Sequence, residues 1–208
     1  MATQESVNRN SLYSLIPLED FKAVLGIDDR EDKLSRFCLV TGTITIEQYC
    51  KRKLLHKNYF EQIEFNGNLF LPLREYPVSK FLALYAVTGF DKHGQWMGEL
   101  VEPEFYRVVP DCGMEIDIPI SIELSPAISR LGCKAIRAVY LAGYRNKNIP
   151  ADLSAACLEL ASWNMNRYRG RRIGMAGNVR GGKDGERFEM SMPENVKALL
   201  EPYRRKTI

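Results

Sequence analysis

The hydrophobic period of this chain changes twice, and that restricts its architecture more than any single motif. Up to about Arg52 apolar residues recur at helical spacing. From Lys53 to about Tyr144 they alternate in short runs broken by turns, and from Asn148 the helical spacing returns. A period near 3.6 buries one stripe of a helix, whereas a period of two buries one face of a strand. The order therefore predicts an α+β protein: a small helical domain of three to four helices interrupted by an antiparallel β-rich insertion. The expected boundaries are residues 12–52 plus 145–208 for the helical domain and 53–144 for the insertion. Residues 1–11 are polar and expected to be disordered.

In the first helical part, "IPLEDFKAVLGIDD" predicts a short helix with Pro17 in its first position and Gly26 at its stop. Leu18, Phe21, Val24 and Leu25 would share its buried face. Asp28 and Glu31 have capping-box spacing at the start of a second helix. "VTGTITIEQYC" has strand-like propensity. It is read as a continuation of that helix because Cys38, Thr41, Thr45, Gln48 and Tyr49 extend one stripe.

The middle part predicts strands. Tyr59, Glu61, Ile63 and Phe65 alternate, and Asn66-Gly67 signals a hairpin. "KFLALYAVTGF" would place Phe81, Ala83, Tyr85 and Val87 on one face, with "DKHGQW" as the next turn. "EFYRVVPDCGMEIDIPI" reads as strand, Pro-Asp-Cys-Gly turn, strand. "KAIRAVYLAGY" sets Ile136, Ala138 and Tyr140 against Arg137, Val139 and Leu141. Helix resumes after Asn148 and Pro150, with Leu153, Ala156, Cys157, Leu160 and Asn164 as its apolar stripe and Gly170 as its end. "MPENVKALLEPYRRKTI" predicts a short terminal helix with Pro193 in its first turn. A helix of that length is marginal alone and must dock on its own body or on a neighbour. Its candidate docking residues are Val196, Leu199, Leu200 and Tyr203.

Several chemistries are disfavoured by what the residues offer. Five cysteines, at positions 38, 50, 112, 133 and 157, are odd in number, widely spaced and without a CxxC pair. They predict reduced, mostly buried thiols rather than a disulfide framework or zinc knuckle. The two histidines, His56 and His93, have no second ligand at metal spacing and are expected to be exposed. The acidic pairs near Glu19, Asp28 and Glu31 fit first helical turns, where negative charge complements the dipole. No nucleophile elbow is visible. No cofactor, metal or catalytic residue is expected, and no apolar run reaches the ~20 residues of a membrane helix.

"GNVRGGKDG", residues 177–185, approaches a phosphate-loop pattern but has Asp184 where Ser or Thr would hold magnesium. It follows a helix rather than a strand, so a nucleotide site at Lys183 is the weakest reading. The stretch belongs instead to a basic segment. Between Arg167 and Arg187 seven basic residues face two acidic ones, a local +5 on a chain whose formal net charge is +3. Arg167, Arg169, Arg171 and Arg172 fall at the end of the third helix, where two of them would serve the helix dipole. Arg180, Lys183 and Arg187 fall in a glycine-rich loop expected to be flexible. These seven residues are the candidate contacts to a neighbouring copy, a partner protein or DNA phosphate.

Three strings in order carry a resemblance. "PLEDFKAVLGIDDREDKLSRFCLVTGTITIEQYCKRKLL" ends in Tyr49-Cys50-Lys51-Arg52. "FLPLREYPVSKFLALY" follows, and "IRAVYLAGYRNKNIPADLSAACLELASWNMNR" carries Tyr140, Ala142, Gly143 and Tyr144 ahead of Ile149-Pro150. Over roughly residues 17–170 the chain resembles the head–tail connector (adaptor, or head-completion) proteins of tailed phages. The resemblance implies a non-enzymatic virion protein of a phage or prophage, assembled in the host bacterial cytoplasm. It would form a homo-oligomeric ring between the portal protein and a tail or stopper protein, with double-stranded DNA in the channel. The alternative is a nucleic-acid-binding or DNA-packaging accessory protein that uses the basic arm.

Overall fold

The computed structural model describes residues 13–110, 120–170 and 192–205. The chain divides into two compact units, one from Met1–Lys51 with Asn146–Ile208 and the other from Arg52–Arg145. The first is helical and the second is built of antiparallel strands, so the α+β reading with an inserted β module holds.

The helical unit contains α1 (Leu18–Leu25), α2 (Asp32–Cys50), α3 (Ala151–Arg169) and α4 (Glu194–Leu200). Pro17 directly precedes α1, and Gly26 ends it in the left-handed region (φ 62°), its N–H bonding back to the Lys22 carbonyl. Leu18 and Phe21 are buried, but Val24 is 64% exposed and Leu25 is also exposed, so only half of the expected face is covered.

The capping box is half formed. The Asp28 carboxylate accepts from the Arg30 N–H at 3.0 Å and caps a short 3-10 turn at Asp29–Glu31 that precedes α2. Glu31 does not return to the Asp28 N–H. Its carboxylate meets the Arg169 guanidinium through two hydrogen bonds, one of 2.9 Å from Nε. A bidentate charge-assisted pair outcompetes a single bond to a neutral amide.

The sequence "VTGTITIEQYC" is helical throughout, but the buried stripe of α2 runs through Ser35, Cys38 and Leu39, Gly42 and Thr43, Ile46 and Glu47, and Cys50. The expected positions Thr41, Thr45, Gln48 and Tyr49 lie beside that stripe. The reason is steric. A Cβ at Gly42 would lie 3.6 Å from the backbone nitrogen of Ala161, so α2 and α3 approach where their side chains are smallest. Thr43 is buried there and accepts the Leu15 N–H at 3.0 Å, whereas Thr45 returns its hydroxyl to the Thr41 carbonyl. The stripe expected for α3 is buried as read, with Ala161 and Met165 added to it. Pro150 stands just before the helix and Gly170 just after it.

The β unit contains β1 (Lys57–Glu64), β2 (Phe70–Pro72), β3 (Val78–Phe90), β4 (Trp96–Leu100), β5 (Tyr106–Pro110), β6 (Ile120–Leu124) and β7 (Ala135–Ala142). They form a four-stranded sheet in the order β1-β7-β3-β4 and a three-stranded sheet in the order β2-β6-β5. Every pair is antiparallel. One core joins the two sheets, with Leu84, Ile136 and Tyr140 from the first and Leu71, Ile122 and Leu124 from the second.

Two strand expectations need correction. Asn66-Gly67 does not close a hairpin, because β1 pairs with β7 and β2 pairs with β6. The Asn66 side chain accepts from the Asn68 N–H, and the Asn68 side chain accepts from the Phe70 N–H. These consecutive Asx turns stretch the connection and carry the chain from one sheet to the other. In β3, register shifts between Val78 and Lys80 and between Phe81 and Ala83 change which side chains face inward. Leu84 and Ala86 therefore enter the core, while Tyr85 turns outward onto Trp96, with ring centroids 5.3 Å apart. The Asp91 turn is as expected, its carboxylate accepting from the His93 and Gln95 N–H groups. β5 falls in the first strand read from this stretch, but its partner β6 begins at Ile120, where the second expected strand ends; the rest of that expected strand and most of the expected turn fall on 111–119, outside the described residues.

Candidate assembly surfaces

The described members of the basic cluster are engaged inside the helical unit. The Arg167 guanidinium lies 4.5 Å from the centroid of the Trp163 ring, one turn back on α3. Arg169 holds Glu31, and the next aromatic on α3, Tyr168, packs edge-on against Phe37 of α2 at 5.4 Å. These contacts fasten the end of α3 to the start of α2. Arg171, Arg172, Arg180, Lys183 and Arg187, with the "GNVRGGKDG" loop and Cys112, lie outside the described residues.

The Arg169 guanidinium holds the Glu31 carboxyl below its ordinary range, with its hydrogen bonds as the main cause. A depressed carboxyl stabilises the fold above its unfolded pKa, and that contribution is lost as pH falls through the folded value. Glu31→Gln is therefore expected to flatten the acid limb of the helical unit's stability profile. Denaturation midpoints followed by Trp163 fluorescence across pH 3 to 7 would check this, and an unchanged acid slope would refute it.

The terminal helix docks on its own unit. Val196, Leu200 and Tyr203 are fully covered and Leu199 is half-buried. The Tyr203 hydroxyl donates to Asp152 of α3 at 2.5 Å, the Tyr49 hydroxyl of α2 donates to Glu201 at 3.0 Å, and the Arg205 N–H meets the Cys50 carbonyl at 2.9 Å.

Cys38, Cys50, Cys133 and Cys157 are buried and form no disulfide, and burial raises the Cys38 and Cys157 thiols to about 11. They are protonated at neutral pH and poor nucleophiles. The His56 Nε2 lies 2.9 Å from the Ser79 hydroxyl, and partial burial with nearby Arg145 pushes its pKa below the usual value. Among the described residues no three His, Cys, Asp or Glu side chains gather to hold a metal, and no helix is long and apolar enough to cross a membrane.

One buried carboxylate was visible in the sequence only as a strand position. Glu61 accepts from the Tyr140 hydroxyl at 2.8 Å and the Arg74 N–H at 3.0 Å, and pairs with the Arg74 guanidinium at 3.1 Å. Tyr140 in turn accepts from the Glu75 N–H at 3.2 Å, and its phenol is pushed well above its normal pKa by burial first and Glu61 second. The cluster lines a cleft of about 210 Å³. Its carboxylate is satisfied by three donors, which suits a clamp holding the 73–76 segment to the sheet rather than a proton-transfer base.

Close by, the chain's way into and out of the β unit is stitched together. The His56 N–H bonds to the Tyr144 carbonyl at 3.0 Å and the Tyr144 N–H bonds to the Leu54 carbonyl at 2.7 Å. Gly143 has φ +93°, and a Cβ there would lie 2.5 Å from the Leu55 carbonyl oxygen. Arg52 is buried beside this stitch, donating to the Tyr76 carbonyl at 2.8 Å and lying 3.9 Å over the Tyr76 ring.

At the edges of the four-stranded sheet β4 is exposed and largely apolar, while β1 is exposed and mixed, with Lys57, Asn58, Phe60, Gln62 and Glu64 open to solvent. All five residues of β4 are exposed, with Met97 at 49% and Leu100 at 58%, and Phe60 on β1 is 73% exposed. Trp96 is held as a platform on the outer face, against Tyr85 and 4.5 Å over the Arg137 guanidinium. Gly98 makes room for that arrangement, since a Cβ there would meet the Ala86 carbonyl oxygen at 2.5 Å and the Trp96 ring at 3.1 Å. In the sequence, "GQW" reads as the end of a turn, and nothing is assigned to "MGEL".

No protein-family model and no curated sequence matches the chain. Solved structures do. A chain in the neck of an empty gene transfer agent (GTA) particle, computed with C6 symmetry, is 20% identical, with a TM-score of 0.61 over 93% of this chain and 91% of that one. Chains in the virion of the native GTA particle and in its neck computed with C12 symmetry give TM-scores of 0.59 and 0.57 at the same identity and coverage. The likeness spans nearly the whole of both chains, so this protein has the fold of those components.

Proposed function

We propose that this chain is a structural neck component of a phage-like particle, a head–tail connector without catalysis. The observation that carries the reading is the fold likeness to GTA neck chains over 93% of the chain, at 20% identity. The three strings that resemble phage adaptor proteins support it independently. In this role several copies form a ring between the portal and a tail or stopper protein, with the DNA channel through its centre. The protein resides in the virion after assembly in the bacterial cytoplasm. The inert cysteines and the three-donor clamp on Glu61 fit a scaffold that must persist rather than turn over.

The test is genetic and structural. Deleting the gene from the producing bacterium is expected to leave filled heads without tails by electron microscopy, and antibody against the chain should label the head–tail junction of wild-type particles. Normally tailed particles from the deletion strain would overturn the reading. The DNA-accessory alternative rests on the +5 segment at residues 167–187. It requires steeply salt-dependent binding to arbitrary duplex DNA. Arg167 and Arg169 are already engaged within the helical unit, which leaves that alternative to the residues beyond them.

A further inference from the structure

We propose that the β4 edge of one copy receives the β1 edge of the next, so that the four-stranded sheets join head to tail between subunits. This names the seam of the ring and rests on the neck reading for the ring itself. Three independent features of the β unit point to it.

The first is topology. The sheet has four strands, each antiparallel to its neighbour, so β1 and β4 run in opposite directions at its two edges. Identical sheets placed side by side in the same orientation then meet as an antiparallel pair. A head-to-tail contact of this kind closes into a ring when its rotation allows. The occupant of each edge is thus supplied by a second copy of this chain.

The second is the character of the edges. Solitary proteins blunt an edge strand with Lys, Pro or inward charge. β4 reads Trp-Met-Gly-Glu-Leu, and its only charge is Glu99. The bulge next to it, between Val87 and Gly89, belongs to β3. At the far edge β1 presents Phe60 in the open but also carries Lys57 and the inward Glu61, so the unguarded edge is β4.

The third is charge. Around β4 the exposed acids are Glu99, Glu102 and Glu104, against the exposed Lys92 and the Arg137 guanidinium over Trp96. Along the start of β1 the exposed charges are Lys53 and Lys57, both also contacted within their own chain, the Lys53 N–H by the Glu75 carboxylate at 2.6 Å. The Lys57 ammonium lies 5.3 Å from the Tyr59 ring centroid, on the side of the strand that also carries Glu61. An antiparallel register that sets Glu99 opposite Lys57 also sets Trp96 opposite Phe60 and brings Glu102 toward Lys53. Opposite charges and facing aromatics are both favourable cross-strand pairs. Glu99 is opposite Ala86 within its own sheet and Lys57 opposite Ala142, so both share the core-side parity that such a pair requires.

In straight continuation of the sheet, Leu100 is level with Tyr85, Arg137 and Gln62, whereas the proposed register sets it level with His56. That stagger is about 20 Å along the strands for about 19 Å across them, a tilt near 45°. Closed sheets tilt their strands by about 35–45°.

The experiment uses the full-length chain in sedimentation velocity at low salt, with two variants that reverse solvent-exposed charges. One is Glu99→Lys with Glu102→Lys, and the other is Lys53→Glu with Lys57→Glu. Wild type is expected to self-associate, and each variant alone at least tenfold more weakly. An equimolar mixture of the two variants should recover association to near the wild-type level, because the reversed β4 of one then faces the reversed β1 of the other. Recovery also shows that both variants are folded. A wild type that stays monomeric at its highest soluble concentration, variants that associate like wild type, or a mixture that stays dissociated would each overturn the seam. Such a result is distinct from failure of the neck reading, which is decided by tail joining and antibody labelling.

Discussion

Adding one methyl group at Gly143 is expected to destabilise the β unit by about 3 kcal/mol or more. Two costs coincide there. The backbone sits at φ +93°, where an L side chain is strained, and the new Cβ would stand 2.5 Å from the Leu55 carbonyl oxygen. That obstacle is backbone held by the hydrogen bonds on either side of it, so it cannot swing away as a side chain would. Gly67 separates the two costs. Its φ is +89°, but a Cβ there would meet nothing within 4 Å. Gly67→Ala should therefore show the conformational cost alone, about 1–2 kcal/mol. The measurement is convenient because one tryptophan lies in each unit, Trp96 in the β unit and Trp163 in the helical unit. In a Trp163→Phe background, fluorescence during denaturation reports the β unit. Equal losses at Gly143 and Gly67 would show that the carbonyl contact contributes nothing.

The second large effect is expected at the terminal helix. Leu200 is fully buried, and Leu200→Ala should cost the helical unit about 2–5 kcal/mol by removing packed methyl groups and leaving a cavity. Tyr203→Phe, which deletes only the hydroxyl that donates to Asp152, should cost about 1 kcal/mol. Val24→Ala provides the contrast, since Val24 is largely exposed and its loss should change stability by about 0.5 kcal/mol or less. Trp163 fluorescence in a Trp96→Phe background reads all three. A Leu200→Ala protein as stable as wild type would mean that α4 does not stay docked in solution. The result also governs how truncations are read. Removing everything after residue 172 takes away the segment proposed to meet a partner and, with α4, part of the core. Only a cut that keeps residues 192–205 in place tests the arm by itself.

Periodicity made most of the fold legible because it records which face is dry, a local property of each helix or strand. The stripe Leu153, Ala156, Cys157, Leu160 and Asn164, and the alternation around Tyr140, both reappear in the structure. What periodicity missed depends on partners far away in the chain. The α2 stripe is set by where Gly42 meets Ala161. The inward side of β3 is set by bulges against β7. Asn66-Gly67 carries a sound local hairpin signal, yet β1 finds its partner more than seventy residues later. Of the candidate contacts, Arg167 and Arg169 looked available because sequence shows charge without showing Trp163 and Glu31 beside it. The sheet edges escaped notice because an edge exists only once strand order is known.

The stitch at Leu54, Leu55 and Tyr144 has an evolutionary consequence. A segment of more than ninety residues leaves and rejoins the rest of the chain through backbone groups that hydrogen-bond to one another. Such a segment can be gained, lost or swapped for another while the flanking sequence keeps its length and direction. Selection can then treat the β unit as a cassette, remodelling its contacts as neighbouring parts diverge while the helical unit drifts at its own pace. Relatives should accordingly differ more in the content of this segment than in the few residues that fasten its ends.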